Sequence, residues 1–251
     1  MTELGFFNIL TWAWIGVALL TVPYLVFVAA PYGRHARPGW GPTVAPRLGW
    51  VIMESPAVLL VGGFFVSGGD YSAPKCIFLC MWMLHYLQRT FVFPMLMKPG
   101  ARMPMVIMMS GFFFNLVNGY MQGRWLFHFA PPYPIEWFTS PTFMIGAALF
   151  LCGYAFNQHS DSVLRNLRKP GEKGYKIPRG GLYRFISAPN YFAEIVEWTG
   201  WAIATWSMPG LVFVIWTTAN LAPRAFKNHQ WYRDTFPDYP KERKALIPFI
   251  V

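Results

Sequence analysis

Apolar runs close to membrane-crossing length recur seven times along this 251-residue chain, and no other feature restricts the fold as much. A helix needs roughly 20 predominantly apolar residues to cross the hydrocarbon core. The runs cover Phe6–Ala29, Leu48–Val66, Cys76–Met97, Met103–Phe129, Thr142–Asn157, Tyr191–Met208 and Gly210–Phe226. Prolines punctuate the gaps, with Pro31, Pro38, Pro42 and Pro46 in the first and Pro131, Pro132 and Pro134 before the fifth run. Only 13% of the residues are charged, against about a quarter in a soluble domain, too few to clothe a water-facing surface. The expected fold is therefore all-α, a polytopic membrane protein built as a seven-transmembrane-helix bundle. The first run follows Thr2 and Glu3 with no basic segment and no small-residue cleavage site, so it reads as a retained span rather than a signal peptide.

The net charge of +10 raises the question of nucleic acid, and its distribution answers against it. Eighteen of the 21 Lys and Arg residues lie after runs one, three and five or from Arg224 onward. That asymmetry is the signature of basic cytoplasmic loops, and it places the C-terminus in the cytoplasm and the N-terminus across the membrane. An odd number of spans is required, which seven satisfies. No internal repeat supports an inverted-repeat transporter. Cys76, Cys80 and Cys152 form neither a disulfide framework nor, without partner histidines, a metal site. They read as small core residues, and no metal is expected.

Ionisable groups at the bilayer centre cost at least ~2.5–3.5 kcal/mol each, so the polar residues inside the runs mark where chemistry can sit. They are Glu54; His85, Tyr86, Gln88 and Arg89; Asn115, Asn118 and Gln122; and Glu194 and Glu197. Two readings of Glu54 stand side by side. Dehydration disfavours the charged carboxyl, leaving a neutral group that can donate a hydrogen bond; alternatively an interhelical pair with Arg89 keeps it ionised. Tyr86 and Arg89 are three apart and share a helix face. The Tyr86 hydroxyl is either a neutral donor in a dry pocket or one more tyrosine of the aromatic belt.

The second half carries another constellation. On a helix, Asn157, Asp161, Arg165 and Arg168 would form one polar face. That face is either solvated, with an Asp161–Arg165 pair, or an array for a nucleotide's hydroxyls and phosphates. The turn-rich segments Lys169-Pro170-Gly171-Glu172 and Ile177-Pro178-Arg179-Gly180-Gly181 lead to a helix start at Pro189-Asn190-Tyr191, with Asn190 read as the N-cap and Glu194 and Glu197 on its face. Neither a dinucleotide-binding glycine motif nor a Walker loop is present, so any nucleotide binds outside those designs.

These segments carry a resemblance. Trp50 to Pro56, His85-Tyr86-Leu87-Gln88-Arg89-Thr90-Phe91-Val92, Asn157 to Trp198 and Arg224 to the end, above all Asp238-Tyr239-Pro240-Lys241 and Arg243-Lys244-Ala245-Leu246-Ile247-Pro248-Phe249, resemble the steroid 5α-reductases among the membrane sterol reductases. The resemblance covers nearly the whole chain and is weakest in the first forty residues. It implies one reductase domain over 1–251, with the substrate side in 1–140 and the cofactor side in 141–251. The implied reaction is NADPH-dependent reduction of the Δ4 double bond of a 3-oxo-steroid that enters from the lipid bilayer. Glu54 and Tyr86 match the family's catalytic pair, and Asn157, Asp161, Arg168, Tyr175, Asn190, Glu194 and Arg224 match positions associated with NADPH. Just after Arg224 the family is histidine-rich where this chain has Lys227-Asn228-His229, and no cofactor contact is carried over from that stretch.

In the implied chemistry hydride reaches C5 and charge develops on the 3-oxo oxygen, where neutral donors such as protonated Glu54 and Tyr86 would stabilise it. The host membrane is the endoplasmic reticulum in a eukaryote or the inner membrane in a bacterium. Other readings are a reductase of a different lipid enone or enoyl substrate (a sterol, polyprenol or enoyl thioester), a membrane methyltransferase sharing the C-terminal half, and a non-catalytic lipid-binding or transport protein.

Overall fold

Proline sets where most of the helices begin, as its fixed φ and missing N–H suit the first turn. A computed structural model describes every residue except Pro99, Pro170, Gly171 and Lys173. Its helices are α1 (Glu3–Phe27), α2 (Pro46–Gly68), α3 (Ala73–Leu87), α4 (Phe93–Leu96), α5 (Met105–Arg124), α6 (Pro141–Asn166), α7 (Pro189–Thr205) and α8 (Met208–Thr235). A π turn over Gln88–Val92 joins α3 to α4 without a break, and a second, Trp125–Phe129, ends α5. Each of the seven apolar runs is helical, α3 and α4 forming one of them.

The helices overrun the apolar runs where polar residues continue the turn. α6 extends past Asn157 to Asn166, and α8 extends past Phe226 to Thr235. α7 stops at Thr205 because Trp206 takes a left-handed conformation (φ 43°). Ser207 then caps α8, its Oγ accepting from Gly210 N at 3.1 Å, with Pro209 in the first turn. The strand content of the described residues is small. It consists of β1 (Thr43–Val44) antiparallel to β2 (Met103–Pro104), and a single bridge between Ile186 and Lys244.

Three segments, Glu3–Phe27, Pro46–Gly68 and Ala73–Leu96, are long and apolar enough to cross a membrane. The exposed side chains of α1 include Leu4, Phe6, Ile9, Trp12, Val17, Leu19, Leu20 and Phe27, an outward face that suits hydrocarbon and not water. The chain is thus a membrane-embedded, all-helical protein. The same reasoning corrects the reading of the cysteines as core residues. Cys80 and Cys152 are exposed and Cys76 is partly so; on Ala73–Leu96, which is apolar enough to cross a membrane, a small apolar thiol facing lipid has no water to avoid.

The chain forms two compact units, Met1–Trp12 with Ala30–Phe143, and Ala13–Ala29 with Met144–Val251. In the first, α2 lies against a stripe of small residues on α5. A Cβ on Gly119 would come within 3.2 Å of Pro56 O, and one on Gly123 within 3.2 Å of Val61 Cα. In the second, α6 and α7 approach backbone to backbone. A Cβ on Gly153 would lie 2.7 Å from Ala193 O, and one on Gly200 would lie 2.6 Å from Gly146 O. This close approach is how membrane helices associate when apolar burial offers no gain over lipid.

Candidate active site

In the first unit the site is built on a defect in α2. Pro56 has no N–H, so the carbonyl of Ile52 lacks its helical donor. Ser55 Oγ donates to that carbonyl at 3.0 Å. Neighbouring carbonyls of the same stretch are met from other helices. Asn115 Nδ2 of α5 donates to Met53 O at 2.9 Å, and Trp82 Nε1 of α3 donates to Ala57 O at 2.9 Å. Side chains from two helices are thereby tied to the turn that carries Glu54.

Glu54 is half-buried on α2, and its Oε2 accepts a second hydrogen bond from Asn115 Nδ2 at 2.9 Å. Tyr86 is 3% exposed and stacks on Trp82, ring centroids 4.5 Å apart. Because the Trp82 indole is anchored to Ala57 O, three residues along α2 from Glu54, the Tyr86 ring is referenced to the same helix. His85 is also buried, its ring edge-on to Tyr86 at 5.0 Å.

Arg89 does not continue the regular α-helical face of Tyr86, since it lies in the π turn. Its guanidinium carbon stands 4.5 Å from the ring centroids of both Trp50 and Phe93, a double cation–π contact. π turns inside helices recur at functional sites.

At the end of α2, Asp70 pairs with Lys75 Nζ at 2.9 Å, and this partner holds the Asp70 carboxyl below its usual value. In the loop after α5, burial pushes the Tyr133 hydroxyl up to about 12.

In the second unit five of the seven residues expected from the resemblance to contact NADPH, Asn157, Asp161, Asn190, Glu194 and Arg224, lie around the first turns of α7. Asn157 and Asp161 of α6 are both buried; Asn157 Nδ2 donates to Asn190 O at 3.0 Å, and Asn190 Nδ2 donates to Asp161 Oδ1 at 3.2 Å. Arg224 of α8 sits over the Tyr191 ring at 5.4 Å and donates to its hydroxyl at 3.4 Å. Glu194 follows one turn along, half-buried.

Ala188, not Asn190, is the N-cap of α7, and it makes no side-chain cap bond. Pro189 takes the first helical position, which moves Asn190 inside the turn and frees its amide to reach across to α6. Arg168 lies beyond the end of α6, in a bend, with Nη1 3.5 Å from Gly174 O, so the four-residue helical face ends at Arg165. Tyr175 is exposed, its ring edge-on to Trp231 at 5.0 Å. Of the Lys169-Pro170-Gly171-Glu172 turn, Pro170 and Gly171 lie outside the described residues.

A further cluster was not legible in the sequence. Ser187 Oγ lies 2.6 Å from His229 Nδ1, 2.7 Å from the Tyr239 hydroxyl and 3.1 Å from Lys244 O. It ties the start of α7, the end of α8 and the C-terminal segment together. Burial first, then the charges of Arg233 and Lys244, hold the His229 imidazole below its usual value. Asn115 was visible only as a polar residue in an apolar run. Its position in Gly111-x-x-x-Asn115-x-x-x-Gly119-x-x-x-Gly123 is the signal that it faces a neighbouring helix.

The second-unit cluster also fits a nicotinamide dinucleotide chemically. Two amides, a carboxylate and a guanidinium converge near a helix N-terminus, a set suited to ribose hydroxyls and phosphates.

Comparison with known proteins bears on both units. A family described as 3-oxo-5-alpha-steroid 4-dehydrogenase matches residues 101–251. The chain is 45% identical over 240 residues to steroid 5-alpha-reductase DET2 of Gossypium hirsutum, covering 93% of each chain. It is 45% identical over 246 residues to 3-oxo-5-alpha-steroid 4-dehydrogenase 1 of Bos taurus, covering 95% of each. Against the Homo sapiens protein of that name it is 46% identical over 222 residues, 87% of this chain and 85% of that one. Similarity of this depth, carried across both units, makes the chain a member of the 3-oxo-5-alpha-steroid 4-dehydrogenase family.

Proposed function

We propose that this chain is an NADPH-dependent oxidoreductase that reduces the Δ4 double bond of 3-oxo-steroids to 5α-dihydrosteroids. The observation that carries the reading is the 45% identity over 93–95% of both chains to proteins named for that activity. The whole chain works as one reductase, the substrate being handled by residues 1–140 and the cofactor by 141–251. Seven spans cross the membrane with the C-terminus in the cytoplasm, a topology supported by seven helical runs and by the concentration of basic residues on one side.

Asn157, Asp161, Asn190, Glu194 and Arg224, with Arg168 and Tyr175 from the following segment, hold NADPH. When bound, the cofactor supplies hydride to C5 of the enone. Negative charge then gathers on the 3-oxo oxygen, the chain meets it with donors already in place, and a proton from water or from one of those donors goes to C4 to complete the reduction. Protonated Glu54 and the Tyr86 hydroxyl are those donors. Both can donate without carrying charge into an apolar site, and both are held against α2 before substrate arrives, so little reorganisation accompanies the reaction. The steroid, apolar except at its ends, enters laterally from lipid, while the polar cofactor comes from the cytoplasmic face.

The test is NADPH consumption by detergent-purified protein with testosterone or progesterone, the product separated against 5α and 5β standards. The expected result is a 5α product with stoichiometric NADPH oxidation. Tight NADPH binding with no turnover of any Δ4-3-oxo-steroid would overturn the substrate assignment, and absence of NADPH binding would overturn the reductase reading.

A further inference from the structure

Asn115 sits on α5 between Gly111 and Gly119, 3% exposed, on the face pressed against α2. Its Nδ2 makes two hydrogen bonds of 2.9 Å, to Met53 O and to Glu54 Oε2. The first fixes the amide's orientation. A backbone carbonyl can only accept, so the atom facing it must be the NH2 group, and a flipped amide would set oxygen against oxygen. Asn115 Oδ1, in turn, is buried with no hydrogen-bond partner among the described residues. A buried acceptor left unmet costs stability, so satisfying its own polar atoms does not account for this asparagine. The amide does, however, determine what faces Glu54.

We infer that Asn115 is a positioning residue that decides which oxygen of Glu54 carries the proton. Oε2 receives an N–H, so in the neutral acid Oε2 is the carbonyl oxygen and the hydroxyl is Oε1. The proton is thereby kept on Oε1, in one tautomer, instead of being divided between the two oxygens. This deepens the donor role proposed above for Glu54 and rests on it. An acid in a single orientation donates from one place, which is what a donor aimed at a developing oxyanion requires.

The test uses infrared difference spectroscopy of the full-length protein in detergent, with NADPH kinetics on the same samples. Subtracting the spectrum of Glu54→Gln from that of the wild type isolates the C=O stretch of protonated Glu54. In Asn115→Leu that band moves to higher wavenumber as the carbonyl loses its donor, and kcat falls about tenfold, the worth of one well-placed hydrogen bond. KM for NADPH stays unchanged. Asn115→Asp keeps the shape under the glycine stripe and serves if the leucine variant does not fold; its band also moves and its kcat also falls. A Glu54 band that stays in place in a folded Asn115 variant overturns this inference and leaves the donor role standing. Absence of any protonated Glu54 band in the wild type overturns the donor role itself, and this inference with it.

Discussion

Asn190 Nδ2, in the first turn of α7, donates to Asp161 Oδ1 of α6 at 3.2 Å. This bond links the two helices whose backbones already touch at Gly146, Gly153 and Gly200, and it holds the proposed cofactor residues in register. Asn190→Asp would replace a donor with a second carboxylate facing the first. The like charges separate, and the expected result is a rise of at least about tenfold in Kd for NADPH, measured by fluorescence titration. Binding of steroid analogues should be unaffected. Unchanged NADPH affinity would remove this pair from the cofactor site.

The glycine contact between α6 and α7 predicts a stability defect distinct from any loss of chemistry. A methyl group on Gly200 would collide with the backbone N of Phe150 and lie 2.6 Å from Gly146 O. Backbone cannot yield as a side-chain tip can. Gly200→Ala should therefore destabilise by about 1–3 kcal/mol, as overpacking does, visible as a lower midpoint of thermal unfolding in detergent. Gly63→Ala, inside α2 at a position where an added Cβ meets nothing within 4 Å, should leave the midpoint where it is or raise it slightly, since alanine favours a helix over glycine.

His229 gives the cluster around Ser187 a pH dependence. Its folded-state value lies below the ordinary one because burial and the charges of Arg233 and Lys244 oppose protonation. The unfolded chain therefore binds a proton more readily. The stabilisation is complete above the unfolded value of about 6.5 and is lost as pH falls through the folded value. The unfolding midpoint of the wild type should drop between about pH 7 and pH 5. In His229→Gln this part of the drop should disappear. A variant with the same slope as the wild type would show that His229 does not couple to folding.

Features set by one local pattern are legible in the sequence, and features set by partners across space are not. Seven apolar runs became helices because length and apolarity leave little choice. The ends were less legible. α6 continues through Asn157-Gln158-His159-Ser160-Asp161 because a helix can carry a polar face past its apolar run, and apolarity does not report that. Asn190 looked like a cap because asparagine favours that position, yet Pro189 had the stronger claim on the first turn. The π turn after Leu87 leaves no mark in residue spacing, so Arg89 could not be seen apart from Tyr86. Ser187, His229 and Tyr239 are up to fifty-two positions apart, and only the folded chain brings them together. Glu54 was conspicuous as a charge among apolar residues. Asn115, which orients it, was one of several buried amides, and the glycine spacing around it was its only distinguishing sign.

The donor assignment has its own kinetic signature. Removing one preorganised donor from a developing oxyanion typically costs about 10²–10³-fold in rate. Glu54→Gln and Tyr86→Phe should each lower kcat within that range while NADPH still binds. Full turnover in either variant would dismiss that residue as a donor.

Reduction of the Δ4 bond by hydride delivered to C5 leaves an isotopic trace in the product. Testosterone is turned over with NADPH carrying deuterium at the transferable position of the nicotinamide, and the product is analysed by NMR. The expected product is the 5α-dihydrosteroid with one deuterium at C5 and none at C4. Deuterium at C4, at the reduced C3, or absent from the product would contradict it.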